Sequence, residues 1–113
     1  MAAEVKILVG TDCGGIFPVV PGFSYPDELE LLVEAGMSSA EVLEAATVNA
    51  AKALGVAHQR GRIAPGQDAD LVLLGSNPLD DIKGVRSVRA VMVGDLWLDR
   101  SSLDHALTVL RRR

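Results

Sequence analysis

Asp12 is the residue best placed to do chemistry. It follows a short apolar run, Val5-Lys6-Ile7-Leu8-Val9, and the step Gly10-Thr11, and Gly14 and Gly15 come soon after it. The run suits a buried strand. Strand ends are where parallel α/β folds build their ligand sites, so a carboxylate just past one can face a cleft. The same carboxylate could instead cap a turn or accept from backbone amides of the Gly14-Gly15 loop. Cys13 is a poor nucleophile, because the neighbouring carboxylate disfavours its thiolate and no histidine is near in sequence. It reads as a small buried residue. Asp68 with Asp70, and Asp80 with Asp81, lack the dense alternation of oxygen ligands that a calcium loop has, so turn and cap roles are expected. Gly14-Gly15 lacks the Gly-Lys-Ser/Thr ending of a phosphate loop.

The elements that would position Asp12 can be read from local signals. Residues 13–25 are rich in glycine and proline, including Gly14, Gly15, Pro18, Pro21 and Gly22, and form a long loop of the kind that often lines a site. A helix is expected from Pro26 to Ala35, ended by Gly36 and buried along Leu29, Leu32 and Val33. Ser38 and Glu41 make a capping box for a second helix running to Leu54 and stopping at Gly55. Its expected face is Leu43, Ala46, Ala50 and Leu54. After Gly55 the pattern becomes strand-like. Ile63 begins a short strand, Leu71 to Leu74 is a strand apolar on both faces, and Ser87 to Val93 is another. Gly94-Asp95 is a two-residue hairpin turn leading to Leu96 to Asp99. Ser101 caps a last helix with Leu103, Ala106, Leu107 and Leu110 inward. Arg111-Arg112-Arg113 favours that helix's C-terminal end. Trp97 reads as a packing residue on the hairpin. The expected division is 1–55, a strand, loop and helices, and 56–113, a small sheet with a C-terminal helix, the two forming one compact unit.

Three segments in order carry a family resemblance. Ile7-Leu8-Val9-Gly10-Thr11-Asp12 resembles the last barrel strand of the amidohydrolase superfamily, the imidazolonepropionase-like and prolidase-like metal-dependent hydrolases. The stretch from Glu28 to Met37 and the stretch Glu44-Ala45-Ala46-Thr47-Val48-Asn49-Ala50-Ala51 resemble the helices that follow that strand. Gly61-Arg62-Ile63-Ala64-Pro65-Gly66-Gln67-Asp68-Ala69-Asp70-Leu71-Val72-Leu73-Leu74, running on to Asn77-Pro78, resembles strands of the family's small β-sandwich. The resemblance implies an α/β fold: the last βα unit of a (β/α)8 barrel plus C-terminal strands of the sandwich, rearranged or strand-exchanged in the isolated chain. It implies that Asp12 is both catalytic residue and metal ligand, taking a proton from a metal-bound water and passing it to the leaving group. It also implies a divalent metal (Zn, Fe or Mn) and hydrolysis of an amide or cyclic amide C–N bond in a small molecule. One departure stands out: where many relatives carry His-Gly before the first helix, this chain reads Phe17-Pro18-Val19-Val20-Pro21-Gly22-Phe23.

What the chain lacks limits that reading. A full barrel needs about 200 residues or more, against 113 here. The family's remaining ligands, a His-x-His pair among them, lie on earlier strands. The two histidines of this chain, His58 and His105, are far apart in sequence and suit surface or cap roles. A single Asp is not a metal site, so metal is expected only if another chain supplies the other ligands, and the chain alone is expected to be inactive. The alternative is a non-catalytic assembly module derived from the same fold. A net charge of −4 argues against nucleic acid, which requires clustered Lys and Arg. No apolar run approaches the ~20 residues of a membrane span, and the start has no signal-peptide pattern. A cytoplasmic protein that self-associates into a homo-oligomer is expected. The one cysteine excludes an internal disulfide and fits a reducing compartment.

Overall fold

The computed structural model describes residues 5–14 and 20–110. The parts of the loop at Gly15 and Pro18 and the Arg111-Arg112-Arg113 cluster lie outside these residues. The first helix, α1, spans Ser24–Glu34. It begins two residues before the expected Pro26, because the Val20 carbonyl accepts from the Phe23 and Ser24 amides at 3.1 and 3.0 Å and starts the turn early. It stops where Gly36 takes φ +110. The Gly36 amide donates to the Val33 carbonyl at 2.9 Å and the Met37 amide to the Leu32 carbonyl at 3.2 Å, which satisfies orphan carbonyls of the last turn.

The capping box is present: the Ser38 hydroxyl accepts from the Glu41 amide, and the Glu41 carboxylate accepts from the Ser38 amide at 2.8 Å. The helix it starts is not uniform. It runs as α2 (Ser39–Glu44), a π-helical segment (Ala45–Asn49) and α3 (Ala50–Ala53). Its fully buried residues are Val42, Ala45 and Ala51; of the expected stripe Leu43, Ala46, Ala50 and Leu54, the first two are partly buried and pack on the core. A π turn changes the angular phase of every residue after it, so a single helical period cannot describe both halves. Leu54 is left 76% exposed because the chain reverses at Gly55, φ +74.

Three antiparallel strands form one sheet in the order β1 (Leu71–Leu74), β2 (Val88–Val93), β3 (Leu96–Asp99). Leu73 pairs with Ala90, and the register shifts between Leu73 and Leu74. β2 and β3 meet through the Gly94-Asp95 turn, with Val93 opposite Leu96 and Gly94 at φ +60. A 3-10 helix, Ile82–Arg86, joins β1 to β2 and is capped by Asp81, whose carboxylate accepts from the Lys83 amide at 2.9 Å. The last helix, α4, spans Arg100–Leu110. Its cap is Asp99 and not Ser101: the Asp99 carboxylate accepts from the Ser102 amide at 2.8 Å and from the Ser101 hydroxyl at 3.0 Å.

Three expectations fail for one reason. Residues 5–9 form no strand, Ile63 forms none and is 88% exposed, and the α4 residues Leu107 and Leu110 face solvent rather than a core. Each segment has the composition of a buried element, but apart from Val9, which packs on the core, these residues are left largely exposed. A strand without a partner cannot satisfy its own amides and carbonyls. Leu71 to Leu74 is a strand as expected, yet Val72 and Leu73 are more than half exposed.

The core sits between the helices and the 3-10 helix. Leu29, Val42 and Ile82 form its buried centre, with Val9, Leu32, Met37 and Val85 among the residues packed around them. The total accessible surface is 8472 Å², whereas a folded monomer of this mass exposes about 5,900 Å². The radius of gyration is 15.4 Å against about 13 Å for a compact chain of this length. Among the described residues, no helix is long and apolar enough to cross a membrane.

Two measurements check this packing. Gly61 has φ +102, and a Cβ built there would lie 2.6 Å from the Ala51 Cβ and 3.2 Å from the Thr47 carbonyl oxygen, against the π segment. Gly61→Ala should lower unfolding stability in urea by about 1–3 kcal/mol through overpacking and backbone strain. Gly55→Ala, with nothing within 4 Å, should lose only the strain part, about 1 kcal/mol. Equal losses would mean that Gly61 does not pack closely on the helix.

The capping box gives a pH signature. Hydrogen bonds from Ser38 hold the Glu41 carboxyl below its ordinary value of 4.5. A depressed folded-state pKa contributes stability that is complete above that ordinary value and lost as pH falls through the lower folded one. The melting temperatures of wild type and Ser38→Ala should therefore draw together below pH 4.5, read by circular dichroism. A gap that stays constant or widens on acidification would contradict the capping box.

Candidate functional site

Asp12 ends the segment that Val9 anchors to the core. Thr11 is half-buried, and Asp12 and Cys13 are exposed as the chain enters the turn at Gly14. Exposure of Cys13 corrects the expectation of a buried residue. Asp12 has φ +52, making it the one non-glycine described residue in the left-handed region. Asp tolerates that conformation better than most side chains, because its short polar group can bond locally, but it is an uncommon geometry. The anchored Val9 and the left-handed turn together hold the carboxylate clear of the core.

Among the described residues, no three His, Cys, Asp or Glu side chains come close enough to hold a metal ion. His58 is exposed beyond α3, where its carbonyl accepts from the Gln67 side-chain amide at 3.1 Å, and His105 is exposed on α4. The described residues therefore do not make up a metal site by themselves.

The paired aspartates do structural work. Asp68 and Asp70 flank the Arg60 guanidinium at 2.6 and 3.5 Å. The hydrogen bond from Arg60 to Asp68, and then the two negative charges, raise the Arg60 pKa above its ordinary value. This fastens the 60–70 loop at its two ends. Asp81 caps the 3-10 helix, and Asp80 lies in the turn before it. Trp97 is half-exposed on β3, opposite Met92 across the hairpin.

A concavity lies elsewhere on the chain. A cleft of about 510 Å³ opens between α1, the π segment, the 60–70 loop and β1. Its walls are mainly apolar, with Tyr25, Leu29, Leu43, Ile63, Val72 and Val85 among them, and Arg60, Asp68 and Asp70 also line it. Partial burial pushes the Tyr25 phenol above its ordinary pKa. Asp12 is not among the lining residues. The residue with chemical promise and the cavity are thus separate features of the chain.

Comparisons with known proteins bear on this arrangement. The sequence profile of the amidohydrolase family matches residues 1–98, so Asp12, all four helical segments before residue 55 and the three strands except the last residue of β3 lie within the match. An imidazolonepropionase of Deinococcus deserti is 41% identical over 97 residues, covering 84% of this chain and 23% of that protein. An ochratoxinase of Aspergillus niger is 38% identical over 91 residues, covering 79% of this chain and 18% of its own length. The crystal structure of a Xaa-Pro dipeptidase with methionine in its active site superposes with a TM-score of 0.76 at 32% identity, covering 85% of this chain and 23% of that one. The chain belongs to the amidohydrolase family. It spans less than a quarter of the length of these relatives.

Proposed function

We propose that the chain is the C-terminal part of a metal-dependent amidohydrolase that cleaves an amide or cyclic amide C–N bond in a small molecule. The observation that carries this reading is the family match across residues 1–98, in which a Gly-Thr-Asp strand end, two helices and a small sheet follow in order. Asp12 supplies one carboxylate to a site whose remaining metal ligands come from polypeptide outside this chain. Its exposure and its left-handed backbone support that role, since a carboxylate held away from its own core is free to meet groups from elsewhere. In this reading the last barrel βα unit is represented by residues 5–53 and the sandwich by the sheet. The metal is Zn, Fe or Mn. The chain alone is inactive.

A chimera tests the reading. The matching segment of the Deinococcus deserti imidazolonepropionase is replaced by this chain, and metal content and hydrolysis are measured on the purified protein. The chimera should carry metal and turn over the substrate of its host, and Asp12→Asn should lower the rate by about 100-fold or more. A folded, active chimera indifferent to Asp12→Asn would remove Asp12 from the site.

The isolated chain should hold little metal when purified, and Asp12→Ala should not change the amount. Near-stoichiometric metal lost in the variant would mean instead that copies of this chain complete the site among themselves.

A further inference from the structure

The π segment has no cause in its own residues. The stretch 45–53 contains five alanines and one lysine, with no glycine or proline, and alanine is the strongest α-helix former. A π turn in such a stretch is imposed from outside it. The pressure comes from Gly61. A Cβ at that position would lie 2.6 Å from the Ala51 Cβ, 3.2 Å from the Thr47 carbonyl oxygen and 3.5 Å from the Val48 Cα, so the bare glycine lies directly on the segment. Ala51 is 5% exposed. The polar groups of the segment adapt to this form: the Thr47 hydroxyl donates to the Leu43 carbonyl at 2.6 Å, and the Ala50 amide donates to the Thr47 carbonyl. Gly61 is held in place from its own side as well. The Asp68 amide donates to the Gln59 carbonyl at 2.7 Å, the Arg60 guanidinium to Asp68 at 2.6 Å, and the Gln67 side-chain amide to the His58 carbonyl at 3.1 Å. These bonds close the neck of the 60–70 loop, where Gly61 sits.

We propose that the seat of Gly61 on Ala51 and the π turn are one two-state device, in which the posture of the 60–70 loop sets the phase of the helix end. The π turn winds one surplus residue into 45–49 and so carries Ala51 round onto Gly61. When the loop lifts away, the alanine-rich stretch returns to the α form. Each residue from Ala50 onward then turns by about 100°. The Ala51 carbonyl, which accepts from the Val56 amide at 2.9 Å, turns with it, so the chain reversal at Gly55 moves too. Ala46 and Thr47 of the π segment and Arg60, Gly61 and Ile63 of the loop all line the apolar cleft. The switch therefore changes the shape of that cleft, and packed elements with two discrete arrangements are how small shifts are amplified. Every residue of the device lies between Leu43 and Asp70, and the inference stands independently of the role given to Asp12.

Through-hydrogen-bond couplings in nuclear magnetic resonance of the full chain report which carbonyl each amide meets. In the wild type, amide–carbonyl pairs five residues apart should appear in the π segment, together with a contact between the Gly61 α protons and the Ala51 methyl. Gly61→Ala blocks the seat, and the pairs should move to four residues apart. Gly55→Ala, with open space around the new Cβ, should leave the pairs unchanged. Deletion of Thr47, an exposed residue, removes the surplus residue. That variant should fold with an unbroken α-helix and keep the contact between Gly61 and Ala51, and it decides the matter where Gly61→Ala does not fold. A wild type without the wider pairs would overturn the proposal. So would a folded Gly61→Ala that keeps them, the same change in Gly55→Ala, or a deletion variant that unfolds or loses the contact.

Discussion

The fold depends on one contact among three side chains. Leu29 from α1, Val42 from α2 and Ile82 from the 3-10 helix are each nearly or fully buried and pack on one another. Without Ile82 nothing apolar of comparable burial would tie the sheet to the helices, since the only buried residue within a strand is Ala90. The attachment is reinforced outside the core by Arg86, whose guanidinium reaches Asp27 and Glu30 of α1 at 2.5 and 2.6 Å. That pair is solvent-exposed, and such pairs contribute little net stability. It fixes the orientation of the 3-10 helix on α1 while the hydrophobic contact supplies the energy. Gly84 belongs to the same device: a Cβ there would lie 3.1 Å from the Pro78 nitrogen, so a side chain would require the Asn77-Pro78 turn to shift by a few tenths of an ångström away from the 3-10 helix.

What could be read from the sequence was what is decided locally. The Ser38–Glu41 box, the Gly36 stop and the Gly94-Asp95 hairpin each depend on a few adjacent residues, and each is present in the structure. What could not be read depends on distant partners. Residues 5–9 and Ile63 have strand composition, yet a strand exists only as half of a pair. The inward face assigned to α4 assumed a surface to pack on, and among the described residues none covers Leu107 or Leu110. The π segment escaped notice because an apolar stripe of alanine and valine looks alike in either helix type. Asp12 was found from its strand-end context, and its left-handed backbone adds an independent reason to single it out. The cleft draws its walls from α1, α2, the π segment, the 60–70 loop, β1 and the 3-10 helix, so no single stretch of sequence encodes it.

Burial is divided unequally between the two parts of the chain. Leu29, Val42, Ala45 and Ala51 are buried in helices, Ile82 in the connecting 3-10 helix, and only Ala90 in the sheet. The sheet is therefore held mainly by its own ladder and by the β2–β3 hairpin, and three strands need an apolar cover to be independently stable. Val72, Leu73, Val93, Leu96 and Trp97 are each more than half exposed, so that cover is incomplete. Any polypeptide that docks on the sheet stabilises it by mass action. Association and order in residues 71–110 are thus one equilibrium viewed from two sides, and because Ile82 completes the core with Leu29 and Val42, the helices share in it.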